Sequence, residues 1–76
     1  DKGLRSEIAR LKRRFCSLTD QQFRVLGMLC RGLLNKQIAY ELSIEETTVK
    51  AHNRDIFRKL NVCSRVEAAL DVAKLN

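Results

Sequence analysis

The sequence predicts an all-α fold, and three observations carry that expectation. No proline occurs in its 76 residues, and strand-like alternation of apolar and polar positions is nearly absent. Apolar residues instead recur three and four positions apart in successive short segments, the spacing of one helix face. Helix start and stop signals stand between those segments. Thr19 and Ser64 are each followed three residues later by a capping partner, Gln22 and Glu67, and Gly32 and Asn61 close two segments. At this length the chain is one domain at most, with a thin core.

The elements follow in order. Leu4, Ile8, Leu11 and Phe15 make a narrow apolar stripe on a first helix whose other faces carry Arg5, Arg10, Lys12, Arg13 and Arg14. Two heptads are too few to argue for a coiled coil. The expectation is an N-terminal linker helix, residues 1–16, packed on its own domain or on a neighbour. The domain proper, residues 17–76, opens with the Thr19/Gln22 capping box and with Asp20 placed to suit the helix dipole. Phe23, Leu26, Leu29 and Cys30 are its expected core face, and Gly32 its stop. In "LLNKQIAYELSI" a short helix starts at Asn35 or the residue before it, with Ile38, Ala39 and Leu42 inward. After the turn "SIEE" comes a basic helix, Thr47 to Leu60. Two short helices joined by a tight turn, the second one basic, are a helix-turn-helix pattern. A last helix lies in "NVCSRVEAALDVAKLN", begun by Ser64 and Glu67. Its expected core face is Val66, Ala69, Leu70 and Ala73. Ala68, Val72 and Leu75 form a second apolar strip, read as a twofold contact between two copies of the chain, with a few scattered surface apolar residues as the alternative.

The basic helix carries the functional reading. At about 100° per residue from Val49, Ile56 and Leu60 fall on one line, with His52 and Asn53 beside it. Thr47, Lys50, Ala51, Arg54 and Arg58 fall on the opposite side. Three aliphatic residues therefore anchor the helix, which displays a cationic face interrupted by one small residue. A major groove admits such a helix between walls of phosphate. Arginine pairs bidentately with guanine, and alanine permits close approach and contact with a thymine methyl. The formal net charge of +6 points the same way, to a polyanionic partner. Double-stranded DNA is the expected partner, and a membrane is not.

Other chemistries find little support. The three cysteines, Cys16, Cys30 and Cys63, are odd in number and show no metal-ligand spacing, which suits a reducing compartment such as the cytoplasm. Cys30 falls on an apolar face as a packed thiol. His52 has no cysteine three or four residues away and reads as a structural histidine. No paired carboxylates, glycine-rich phosphate loop or metal cluster is present, so neither enzyme chemistry nor a cofactor is expected. The start lacks an initiator methionine and a signal-peptide core, which suggests a fragment of a longer protein.

The segments "NKQIA", "TVKAH" followed by Ile56 and "KL", and "SRVEAA" occur in order and in spacing that resemble the LuxR-type helix-turn-helix domain of bacterial transcription regulators. The NarL/FixJ response-regulator branch is the nearest in pattern, and the likeness runs from Leu18 to about Leu75. It implies a four-helix domain preceded here by the linker helix, with the third helix in the major groove and the fourth used for dimerisation. It implies Lys50, Ala51 and Arg54 as groove contacts, and Lys36, Thr48 and Arg58 as phosphate contacts. Thr48 rests on the resemblance alone. It further implies an N-terminal receiver or ligand-binding sensor domain beyond this chain. The pattern is broken at several positions. Gln22 and Arg24 replace frequent glutamates, Glu45 replaces the usual serine cap, and Asn61 replaces a frequent glycine.

Three rivals remain at this stage. One is a protein-interaction module of the same fold that does not bind DNA, supported by Glu45, Glu46 and Asp55 near the reading face. Another is a sigma-factor-like promoter reader, against which "SRVEAA" after "KL" argues. The last is a thiol switch at Cys16 or Cys63, beside Arg13, Arg14 and Arg65.

Overall fold

The computed structural model describes residues 2–75, apart from the side chains of residues 2 and 4, so Leu4 of the expected first stripe lies outside the described side chains. Five helices follow one another: α1 (Lys2–Cys16), α2 (Asp20–Cys30), α3 (Asn35–Leu42), α4 (Glu46–Leu60) and α5 (Arg65–Lys74). The described residues are helical with short connections, and the fold is all-α. The basic helix of the sequence reading is α4, and the last helix is α5.

Helix α4 is the axis of the bundle and packs against the other four helices. Val49, Ile56 and Leu60 are all fully buried, as the 3.6-residue period demands. Around them close Val25, Leu26 and Leu29 of α2, Ile38 and Ala39 of α3, Ala68 of α5, and Leu11 and Phe15 of α1. The first helix is therefore seated on the domain rather than projecting from it.

The helix ends explain where each element begins. Thr19 Oγ1 accepts from the Gln22 amide at 3.1 Å, and Gln22 Oε1 accepts from the Thr19 amide at 3.1 Å, completing the capping box. Gly32 has φ +86°, the left-handed conformation that its missing Cβ allows at a helix end. Asn61 does the same for α4 at φ 56°. The start of α3 is capped from Leu34, whose amide donates to Gln37 Oε1 at 2.8 Å. At α5, Ser64 Oγ accepts from the Glu67 amide at 3.3 Å. The Glu67 carboxylate reaches one residue further back, to the Cys63 amide at 3.1 Å. Between α3 and α4 the turn runs through Ser43, a non-glycine residue at φ 55°, which the sequence did not announce.

Two helices are rotated relative to the sequence reading. In α2, Phe23 is 56% exposed, while Val25 is fully buried and Gln22 only 6% exposed. The core face sits about 60° from the expected one. The Thr19 cap and Lys59 of α4 both hold Gln22 at the core boundary, and that fixes the rotation. In α5 the two faces are exchanged. Ala68 is fully buried, and Val72 and Leu75 pack on the core. Val66 and Leu70 are instead 64% and 58% exposed. The strip expected to meet a second copy thus faces inward. Both faces of α5 are apolar, so periodicity alone could not choose. The anchors decide it: Arg65 Nη1 donates to the Leu33 carbonyl at 2.9 Å, and Lys74 Nζ to Glu7 Oε1 at 2.7 Å. Ala68, the small residue, is the one that admits close packing.

Candidate nucleic-acid interface

The outer face of α4 is built by contrast with its inner one. Its N-cap, Glu45, makes no side-chain cap, and its carbonyl accepts from the Thr48 and Val49 amides at 3.0 and 3.2 Å. The carboxylates of Glu45 and Glu46 lie at the positive end of the helix dipole, which suits their charge. From there Thr47, Thr48, Lys50, Arg54 and Arg58 are exposed and Ala51 is half-buried among them. The candidate contacts therefore share one solvent-facing helix surface, with alanine as its low point.

Helix α3 is held against α4 by a cross-helix amide pair. Asn53 Nδ2 donates to Asn35 Oδ1 at 2.8 Å, while Asn53 Oδ1 is buried without a hydrogen-bond partner among the described residues. The bond joins the first turn of α3, which carries the exposed Lys36, to the middle of α4 on the flank shared by Lys50 and Arg54. Neither asparagine was singled out as a partner in the sequence, because they stand 18 residues apart.

The cations divide into two groups. Lys59 Nζ donates to the Ser17 carbonyl and to Gln22 Oε1, both at 2.9 Å. Arg14 Nη1 reaches the Leu60 carbonyl at 3.5 Å. With Arg65 and Lys74, these side chains hold the bundle together. Among the described residues Lys36, Lys50 and Arg54 have no ion pair. Arg58 is intermediate: its side chain is 76% exposed, and Nη2 lies 3.3 Å from Asp55 Oδ1.

Titration is disturbed away from this face. The hydrogen bond from Lys74, and then its charge, hold the Glu7 carboxyl below its usual value, and the same contact raises Lys74. Burial pushes the Cys30 thiol up, against thiolate chemistry there. Cys16 and Cys63 are exposed free thiols. Among the described residues no three His, Cys, Asp or Glu side chains gather as a metal site, and no helix is long and apolar enough to cross a membrane.

Residues 16–72 match the GerE family, the bacterial regulatory proteins of the luxR family. The chain belongs to the luxR family. The LuxR-type domain is a non-enzymatic, DNA-binding module of transcription regulation. This one is 52% identical over 60 residues to a glycerol metabolism activator of Pseudomonas putida, covering 79% of this chain and 27% of that protein. It is 54% identical over 56 residues to the nitrate/nitrite response regulator NarP of Escherichia coli, covering 74% of this chain and 26% of that one. The solved structure of the response regulator StyR superposes with a TM-score of 0.91 at 44% identity, over 96% of this chain and 37% of that one. The LuxR-type domain here thus spans about a quarter of the length of these curated relatives.

Proposed function

We propose that this chain is the DNA-reading part of a longer bacterial transcription regulator of the response-regulator type, and that two copies bind neighbouring half-sites. The observation that carries the reading is the outer face of α4, where Lys50 and Arg54 stand exposed and unpaired above the fully buried Val49, Ile56 and Leu60. A rigidly seated helix that presents uncompensated cations fits a major groove. In this reading Thr47, Lys50, Ala51 and Arg54 meet base edges. Lys36, Thr48 and Arg58 meet phosphates, which set register and supply most of the affinity. The homodimer contact runs through α5 by its open face, Val66 and Leu70, and not by the inward Ala68, Val72 and Leu75. A receiver or sensor domain precedes α1 in the full protein. That arrangement agrees with the short share of each relative that this chain covers. The working place of such a protein is the nucleoid.

Selection of bound duplexes from a random pool at moderate salt tests this. Enrichment of two related half-sites at a fixed spacing is the expected result, and the spacing locates the two α4 helices. Retention without enrichment removes the base-reading role. No retention even at low salt removes DNA binding by this chain and favours a protein-interaction module of the same fold.

A further inference from the structure

We infer that Asp55 is a specificity-determining residue of α4, one that withholds Arg58 from generic phosphate. The inference rests on the DNA-binding role proposed above. Arg58 lies about 180° around the helix from Val49, at the crest of the outward face, and Asp55 lies beside it one turn earlier. The Asp55 Oδ1 to Arg58 Nη2 contact is 3.3 Å. Lys50 and Arg54, on the other flank, make no ion pair among the described residues, although Glu46 stands one turn before Lys50. One cation of the reading face is therefore neutralised in the unbound protein, and its neighbours are not.

The exposures say which partner moves. The Arg58 side chain is 76% exposed and that of Asp55 36%. The carboxylate is short and half-sheltered, whereas the guanidinium sits on a long stem in solvent. An exposed pair of this kind holds its cation by a factor of at most about five, so Arg58 is exchangeable rather than locked. Meeting a bare phosphate has two costs. Arg58 must leave Asp55, and the unpaired carboxylate then faces a phosphate well within the screening length of about 10 Å at 0.1 M salt. A base edge that offers an exocyclic amino group, cytosine N4 above all, gives Asp55 a new donor when Arg58 departs. Generic backbone offers none. Asp55 thus penalises sequence-blind binding more than binding at a matching site.

The test is a salt titration of binding to a random-sequence duplex by the unaltered chain, Asp55→Ala, Arg58→Ala and the double variant, each checked for native helicity. Asp55→Ala should bind about three- to fivefold tighter at 0.1 M salt, and its log–log salt slope should steepen by about 0.9, the value of one added phosphate contact. In the Arg58→Ala background the change of slope should vanish, and only the smaller affinity gain from relieved carboxylate–phosphate repulsion should remain. Equal binding and slope in the unaltered chain and Asp55→Ala overturn the inference alone. A gain of undiminished size, or a change of slope, that persists without Arg58 also overturns it, because Asp55 would then act by repulsion only. Absence of any duplex binding by the unaltered chain at low salt overturns the DNA-binding role and this inference with it.

Discussion

Gln22 offers the sharpest test of how α2, α4 and the α1–α2 connection are joined. Its amide oxygen accepts from the Thr19 backbone at 3.1 Å and from Lys59 Nζ at 2.9 Å, at a residue only 6% exposed. Gln22→Ala removes that one acceptor and both hydrogen bonds to it. Half a capping box is worth about 0.5–1 kcal/mol. A hydrogen bond to a charged donor is worth about 1.5–3 kcal/mol, reduced here because half-buried Lys59 keeps the Ser17 carbonyl and reaches water. The expected loss is about 2 kcal/mol. For a domain of this size each kcal/mol moves the midpoint by roughly 4–8 °C, so the melting temperature should fall by roughly 8–16 °C. Gln22→Glu keeps the acceptor and adds charge opposite Lys59, so it should be neutral or stabilising at pH 7. Urea unfolding followed by circular dichroism measures both, with Lys59→Met and the Gln22→Ala/Lys59→Met pair closing a double-mutant cycle. A Gln22→Ala loss below about 0.5 kcal/mol, or strict additivity with Lys59→Met, would refute the junction as described.

Further outcomes concern the reading face, α5 and the α1 contact. Arg54→Ala should weaken specific DNA binding by about 1–3 kcal/mol and relax preference at one base position, whereas Lys36→Ala should lower the salt slope by about one unit without changing preference. Competition binding with single-base variants separates the two, and uniform loss across all duplexes would reduce Arg54 to a phosphate contact. On α5, Val72→Ala should destabilise the fold by about 1 kcal/mol, because it packs on the core, while Leu70→Ser should leave the melting temperature nearly unchanged and weaken self-association in ultracentrifugation. Lys74→Met should loosen α1 only where Glu7 is ionised. Because the folded-state pKa of Glu7 is lowered, its contribution is present above the usual value of 4.5 and is lost as pH falls through the folded value. Hydrogen exchange in α1 should therefore differ between Lys74→Met and the unaltered chain at pH 7 and converge in acid.

What could be read from the sequence follows from how strongly each helix contrasts its two sides. In α4 aliphatic residues occupy one line and charges the other, so the buried Val49, Ile56 and Leu60 and the exposed Thr47, Lys50, Arg54 and Arg58 were all legible. The ends of α2 and α4 were legible too, because Gly32 and Asn61 suit left-handed backbone. Helices α2 and α5 carry apolar residues most of the way round, and there the rotation is set by partners distant in sequence. Lys59 meets Gln22 across 37 positions, Arg65 meets Leu33 across 32, and Lys74 meets Glu7 across 67. No local period encodes such pairs. That is why local periodicity puts Phe23 in the core and passes over Val25, and why it exchanges the two faces of α5. Ser43 escaped for a different reason: serine has no special affinity for the left-handed region, and the turn imposes it.

The separation of cations into bundle-holding and outward-facing sets bears on how such a domain changes over evolutionary time. Arg14 and Arg65 place their charge on backbone carbonyls, groups present whatever the side chain, and Lys59 does so in part, at the Ser17 carbonyl, so these anchors tolerate drift around them except at Gln22. Thr47, Lys50 and Arg54 carry no such duty and lie outside the core. New target preferences can therefore be tried at those positions without first rebuilding the scaffold. Retargeting by design would begin at the same places, leaving the anchoring arginines and lysine untouched.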